Sequence, residues 1–361
     1  MDTSNRLSKG AQVLLLLAAF IVVVAGMRAA QTIIVPFLLA AFISIISIPP
    51  LSWLKERKVP TAIALLIVMF VVLVFLLLIA GLVASSVTTF STKLPLYAAK
   101  LEEQTDAALS WLAQMHVDVD SLELNKIFNA AAVMKYVALL LNQLGAVLTN
   151  GFLILLTVIF MLLEASSIPT KLNAIFRKPE ASFQHIKYFI GTVNRYMALK
   201  TVISLTTGAC VAIFLTVMGV DYPLLWGLLA FVFNYIPNIG SIMAAVPAVF
   251  LTIIQLGLGR AVGVAAGYLV INMTIGNVIE PRLMGRGLGL STLVVFLSLI
   301  FWGWILGPVG MVLSVPLTMT AKIALESSEN TRWAAILLGP EITDLPKPAP
   351  HKKLRKKQHR R

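Results

Sequence analysis

The residues that could act on a solute, through polar side chains or freed backbone groups, gather around two proline- and glycine-broken apolar stretches in the C-terminal third of the chain. In Phe231–Ile254 (FVFNYIPNIGSIMAAVPAVFLTII) they are Asn234, Pro237, Asn238, Gly240 and Ser241; in Leu299–Ile323 (LIFWGWILGPVGMVLSVPLTMTAKI) they are Gly307, Pro308 and Gly310. A second proline follows in each, Pro247 and Pro316. Proline removes a backbone donor and glycine lets the chain turn, so both breaks free polar backbone groups. In a bilayer such groups are tolerated only where they are buried in protein or line a wet cavity. Between the breaks lie Asn272 and Asn277, then Glu280-Pro281-Arg282-Leu283-Met284-Gly285-Arg286, the densest charge cluster near any apolar segment end. Freed carbonyls and amide side chains can replace the hydration of a small polar solute, with Glu280, Arg282 and Arg286 as a gate or a site of ion coupling. The plainer alternative is that the asparagines bond between helices and that Glu280 and Arg282 form an interfacial ion pair.

Other chemistry lacks its residues. The four histidines, His116, His185, His351 and His359, fall outside the apolar segments, and neither an HExxH motif nor a GxxxxGK[ST] loop occurs. No enzyme activity, metal or cofactor is expected, and movement of a solute is either passive or coupled to a proton or sodium gradient. Asp118, Asp120 and Glu123 are interleaved with Val117, Val119 and Leu122 without a turn glycine, which favours a helix cap at Asp120 over a calcium loop. The single cysteine, Cys210, sits in an apolar run and can form no intrachain disulfide.

The elements that must position these residues are set by composition. With 58% hydrophobic residues, 12% charged residues and a mean hydropathy of +0.90, the chain is an all-α polytopic membrane protein. Its net charge of +13 is concentrated at 164–200 and 322–361, whereas 85–145 holds more acids than bases. That asymmetry is the positive-inside pattern, so it needs no nucleic acid and places both termini in the cytoplasm. Residues 1–84 carry three spans (11–27, 31–48 ended by Pro49-Pro50, and 61–84). An extracytoplasmic helical insertion follows at 85–145, a fourth span at 146–163, and a cytoplasmic amphipathic segment on the anionic leaflet at 164–200. A transport core at 201–326 and a basic cytoplasmic tail at 327–361 complete the chain.

Length decides how the broken stretches are used. Residues 222–256 as one straight helix would reach roughly 52 Å, well beyond a hydrocarbon core of about 30 Å. Residues 290–323 exceed it similarly. Either each stretch doubles back as a re-entrant hairpin, giving about six full spans plus two hairpins, or each crosses with an interfacial extension, giving eight spans. The hairpins account for the lengths and the Pro/Gly clusters together, and they would enter from opposite faces as an inverted repeat. Glycines at 259, 263 and 267, and at 303 and 307, have the spacing of close helix packing.

The runs NYIPNIGSIMAAVPA and GNVIEPRLMGRGLGLSTLVVFLSLIFWGWILGPVGMVLSVPLT, with LLTVIFMLLE at Leu155–Glu164, resemble the signature region of the autoinducer-2 exporter family. The similarity extends from about Lys9 to Glu326 and leaves out the basic tail. It implies a bacterial inner-membrane protein that exports autoinducer-2, a small polar quorum-sensing signal linked to biofilm growth. It also implies homo-oligomers, with the pentamer as the suggested assembly. Sodium (lithium)/proton antiport is the alternative the family offers. A scaffold or sensor that transports nothing is the alternative from another class.

Overall fold

The computed structural model describes residues 8–114, 150–165, 179–237, 239–284, 289–326 and 329–340, and every regular element among them is helical. Asn238, Arg286, residues 115–145 of the expected insertion and residues 341–361 of the basic tail lie outside the described residues. Five described segments are long and apolar enough to cross a membrane: Gln31–Glu56, Thr61–Phe90, Gly191–Met218, Leu258–Leu283 and Thr292–Glu326. Large apolar side chains such as Leu16, Phe70, Phe152 and Val217 stay exposed on these and shorter helices, a surface that only lipid or another subunit can cover.

Ser8 caps helix α1 (Lys9–Ala29) by accepting a hydrogen bond from the Ala11 amide at 3.2 Å. Ala30 joins α1 to α2 (Gln31–Glu56), which carries Pro36, Pro49 and Pro50 inside it. Pro49-Pro50 therefore does not end the span as expected. A proline φ is compatible with a helix, Ser52 Oγ donates to the Pro49 carbonyl at 2.8 Å, and Leu51 is buried against α3 and α4. Helix α3 (Thr61–Gln114) runs unbroken for 54 residues, so it continues straight out of its apolar portion. Next come α4 (Gly151–Ala165) and the 40-residue α5 (Pro179–Met218).

Both broken stretches double back. The first is α6 (Pro223–Phe233), a turn, and α7 (Gly240–Leu256), here hairpin A. At its open end the Asp221 amide donates to Gln255 Oε1 at 2.9 Å and Gln255 Nε2 donates to the Gly219 carbonyl at 3.2 Å. A straight helix would hold residues 221 and 255 about 51 Å apart. Gly240 closes the tip because any Cβ there would overlap the Phe233 carbonyl. Helix α8 (Leu258–Asn272) passes into a seven-residue π-helix (Met273–Ile279) and then the short α9 (Glu280–Met284).

The second stretch, α10 (Thr292–Glu326), is two helices joined at Gly307 (φ 67°, ψ −153°), here hairpin B. Trp302 Nε1 donates to Thr318 Oγ1 at 3.0 Å, although a straight helix would separate these residues by about 24 Å. The short α11 (Arg332–Leu337) closes the described chain, with the Leu338 carbonyl accepting from the Ser291 amide at 3.1 Å.

Helix α5 is the ruler against which both hairpins lie. Its Val193, Tyr196 and Met197 pack on Leu290, Val315 and Met319 at the open end of hairpin B. Its Thr201 and Ser204 bond the tip of hairpin A, and Gly219, just past its C-terminal end, bonds hairpin A's open end. The two hairpins thus open toward opposite ends of α5, as inverted entry requires. The α5–α6 contact is close because both helices are small where they meet. A Cβ on Gly208 would lie 2.6 Å from the Gly227 carbonyl, and one on Gly227 would lie 2.7 Å from Ala212 Cβ. Gly263 and Gly267 likewise admit Met218 and the Phe214 ring between α8 and α5, and Gly303 admits Met311 across hairpin B.

Candidate functional site

One face of α5 carries a polar stripe into the apolar half of the helix: the adjacent Lys200 and Thr201, then Ser204 and Thr207 at steps of three or four residues. Every member has a partner that fixes it. Tyr235 donates to Thr201 Oγ1 at 2.8 Å, Asn234 Nδ2 donates to Ser204 Oγ at 2.9 Å, and Thr207 Oγ1 donates to the Ile203 carbonyl at 2.9 Å. The tip of hairpin A is therefore pinned to α5 by side-chain hydrogen bonds rather than by apolar contact alone.

At the end of the stripe, Lys200 Nζ lies 2.5 Å from Glu280 Oε1. Lys200 is 5% exposed, so the ammonium is almost wholly withdrawn from water. Glu280 reaches it from directly after the π-helix, whose widened turn lets the Glu280 amide bond the Ile275 carbonyl five residues back. One extra residue in a helical turn rotates all that follows by about 100°, which re-aims Glu280 relative to Asn272.

Beside the stripe is a small, partly open cavity of ≈ 10 Å³, where Thr207 of α5, Asn234 and Ser241 of hairpin A, and Tyr268 and Asn272 of α8 meet a largely apolar wall of Val211, Ala230, Ala244 and Ile271. That is room for about one water. The Tyr268 hydroxyl is buried there without a hydrogen-bond partner, a cost of about 1–3 kcal/mol that calls for an occupant or an alternative state.

A second polar knot sits at the open end of hairpin A. Asp221 Oδ2 accepts from Lys93 Nζ at 2.9 Å and from the Tyr97 hydroxyl at 2.6 Å, and the Asp221 carbonyl accepts from Trp226 Nε1 at 2.8 Å. Burial works to raise the Asp221 carboxyl, but the hydrogen bonds from Tyr97 and Lys93 outweigh it and hold the group below the usual carboxylate value. The Asp221 hydrogen bond raises Lys93 against the opposing effect of burial. Burial first, and then Asp221, push the Tyr97 phenol up.

The structure gathers some sequence-predicted residues and separates others. Asn234, Ser241 and Asn272 share the cavity, with Pro237 and the buried Gly240 at the adjoining tip. Asn277 is exposed on the π-helix and does not line the cavity. Glu280 pairs with Lys200 rather than with Arg282, which is exposed. Asn238 and Arg286 lie outside the described residues. Gly307, Pro308 and Gly310 form the tip of hairpin B against the α1–α2 turn, where Gly307 meets Gln31, and they do not share the cavity. Sequence reasoning missed Lys200, Ser204, Thr207 and Tyr268; the polar stripe at helical spacing in LKTVISLTTG was the signal that could have found the first three.

Two oppositely opening hairpins, with a buried polar stripe under one tip, define a polytopic helical transporter rather than an enzyme. The AI-2E family transporter model matches residues 16–330, and the chain belongs to that family. It is 41% identical to the AI-2 transport protein TqsA of Escherichia coli (strain K12) over 329 residues, 91% of this chain and 96% of that one. A Haemophilus influenzae relative is 40% identical over 332 residues (90% and 95% of the two chains), and YhhT of E. coli (strain K12) is 38% identical over 340 (94% and 97%). Both are transport proteins by name only, with no substrate in the name. Family and helices together make the chain a multi-pass bacterial inner-membrane transporter.

Proposed function

We propose that this chain exports autoinducer-2, or a small polar signal of that kind, with both termini in the cytoplasm and in an assembly of copies of itself. The observation that carries the reading is the charge-free cavity under the tip of hairpin A, where five polar side chains meet an apolar wall. A few amides and hydroxyls set in a mostly apolar wall suit a neutral, hydrogen-bonding solute, and TqsA, 41% identical over nearly the whole chain, is named for AI-2 transport. A cavity of ≈ 10 Å³ is far smaller than any such solute, so passage requires the tip to part from α5 by breaking the Asn234–Ser204 and Tyr235–Thr201 bonds. Opening would free polar groups where the solute could replace the lost partners.

Sodium/proton antiport draws less support, because Glu280, the acid it would use, already has a buried cation beside it. Purified protein in liposomes loaded with autoinducer-2 tests the choice. Export predicts protein-dependent efflux in sodium-free medium; sodium-dependent proton movement without efflux would replace it with the antiporter, and no flux of either would leave a scaffold.

A further inference from the structure

We propose that the Lys200 ammonium is a built-in counter-ion for Glu280, holding the place that a sodium ion or a proton would otherwise take, so that solute movement needs no coupling cation. The proposal deepens the export reading and rests on it for its transport arm. The Glu280 side chain keeps 21% of its surface exposed, and a carboxylate that far withdrawn from water is stabilised by a cation or a proton beside it, because desolvation without either is costly. Here that cation is covalently part of α5: Lys200 is buried, with Nζ 2.5 Å from Glu280 Oε1. Nothing in the pair has to arrive from solution or leave to it.

Position gives the pair its consequence. Lys200 is adjacent to Thr201 and one turn from Ser204, the two residues that hold the tip of hairpin A. Glu280 sits on α9 at the end of the π-helix that leads from Asn272 of the cavity. The ion pair therefore ties α5 to the α8–α9 arm beside the moving tip, the site where a bound cation would couple its own occupancy to opening. Among the described residues, the ionisable groups facing the pair are Tyr196 on α5, close enough for the Glu280 charge to act on it, and Tyr235 behind it at the tip. Arg282, on the same short helix as Glu280, is exposed.

Removing the tethered charge should open a vacancy that a monovalent cation from solution can fill. Wild type, Lys200→Arg, Lys200→Met and the double variant Lys200→Met/Glu280→Gln would be reconstituted and autoinducer-2 efflux measured in choline or sodium medium, with and without an imposed pH gradient. Wild type and Lys200→Arg should be indifferent to both ions. Lys200→Met should be slow in choline at neutral pH and recover about ten-fold with sodium or with acid, the scale of one ligand coupling to another. The sodium and acid arms tell the two cations apart. The double variant, which has neither charge, should fold and be ion-indifferent again. Wild-type flux that requires a cation would overturn the proposal, and so would Lys200→Met flux that stays fast and ion-indifferent. A folded double variant without flux would also overturn it. If wild type moves no autoinducer-2, the export reading fails separately, and radiolabelled sodium binding to the purified proteins still decides the counter-ion question. Binding to Lys200→Met but not to wild type supports it, and equal binding or none contradicts it.

Discussion

Gly307→Ala tests the doubling-back of hairpin B at a single atom. Gly307 holds φ 67° and ψ −153°, a region open to glycine and closed to side-chain-bearing residues. Placing alanine there costs about 1–3 kcal/mol in backbone strain alone. The added methyl would also stand 3.0 Å from Gln31 Nε2, which must give by a few tenths of an ångström. A loss of about 2 kcal/mol is a roughly 30-fold drop in the folded-to-unfolded ratio, large against the few kcal/mol a domain has in hand. The assay is denaturant unfolding of the purified protein in detergent micelles, followed by tryptophan fluorescence, with Gly259→Ala as the control because nothing lies within 4 Å of a Cβ there. In a continuous helix, glycine to alanine would instead stabilise by about 0.5–1 kcal/mol. A Gly307→Ala protein equal to or more stable than wild type would therefore refute the hairpin.

Four further outcomes follow from named contacts. Trp302→Phe removes the cross-hairpin bond to Thr318 and should cost about 0.5–1.5 kcal/mol in the same unfolding assay. Gly208→Ala drives a methyl into the Gly227 backbone carbonyl, a contact with no flexible partner to yield, and should cost about 1–3 kcal/mol. Tyr268→Phe deletes a buried hydroxyl that bonds nothing in this state, so stability should hold or rise while liposome efflux falls; loss of both would make Tyr268 merely structural. Asp221, with its folded value depressed, contributes stability that is present above its unfolded pKa of about 3.9 and lost as pH falls through the folded value. Melting followed from pH 7 to pH 3 should therefore show an acid-side loss that Asp221→Asn abolishes, of at most about 1 kcal/mol since the pair is partly solvated.

What could be read from the sequence was what depends on composition and length. Apolar runs announced a helical membrane protein, and stretches too long for one crossing announced the hairpins at Pro237–Gly240 and Gly307–Pro308. Asn234 of the first break pointed to the cavity, because an amide in an apolar run needs a partner. Partnership itself was not legible. Glu280 stands two residues from Arg282 in sequence, yet the π-helix turns it toward Lys200, eighty residues away, and no propensity marks where a π-turn will form. Lys200 looked like the last base of a cytoplasmic segment because its neighbours Lys187 and Arg195 are basic, whereas α5 runs on through it without a break. The pairing of Pro49 and Pro50 suggested an end, and tertiary packing of Leu51 carried the helix six residues further, to Glu56.

The account stands most directly on Asn234, which both pins the hairpin tip to Ser204 and lines the cavity. Autoinducer-2 efflux from liposomes should be compared for wild type and Asn234→Ala at matched folded protein. The account predicts steady efflux from wild type in sodium-free medium and a fall of about ten-fold or more in Asn234→Ala, the scale of losing one well-placed hydrogen-bonding group. Efflux unchanged by Asn234→Ala would contradict a solute path under hairpin A.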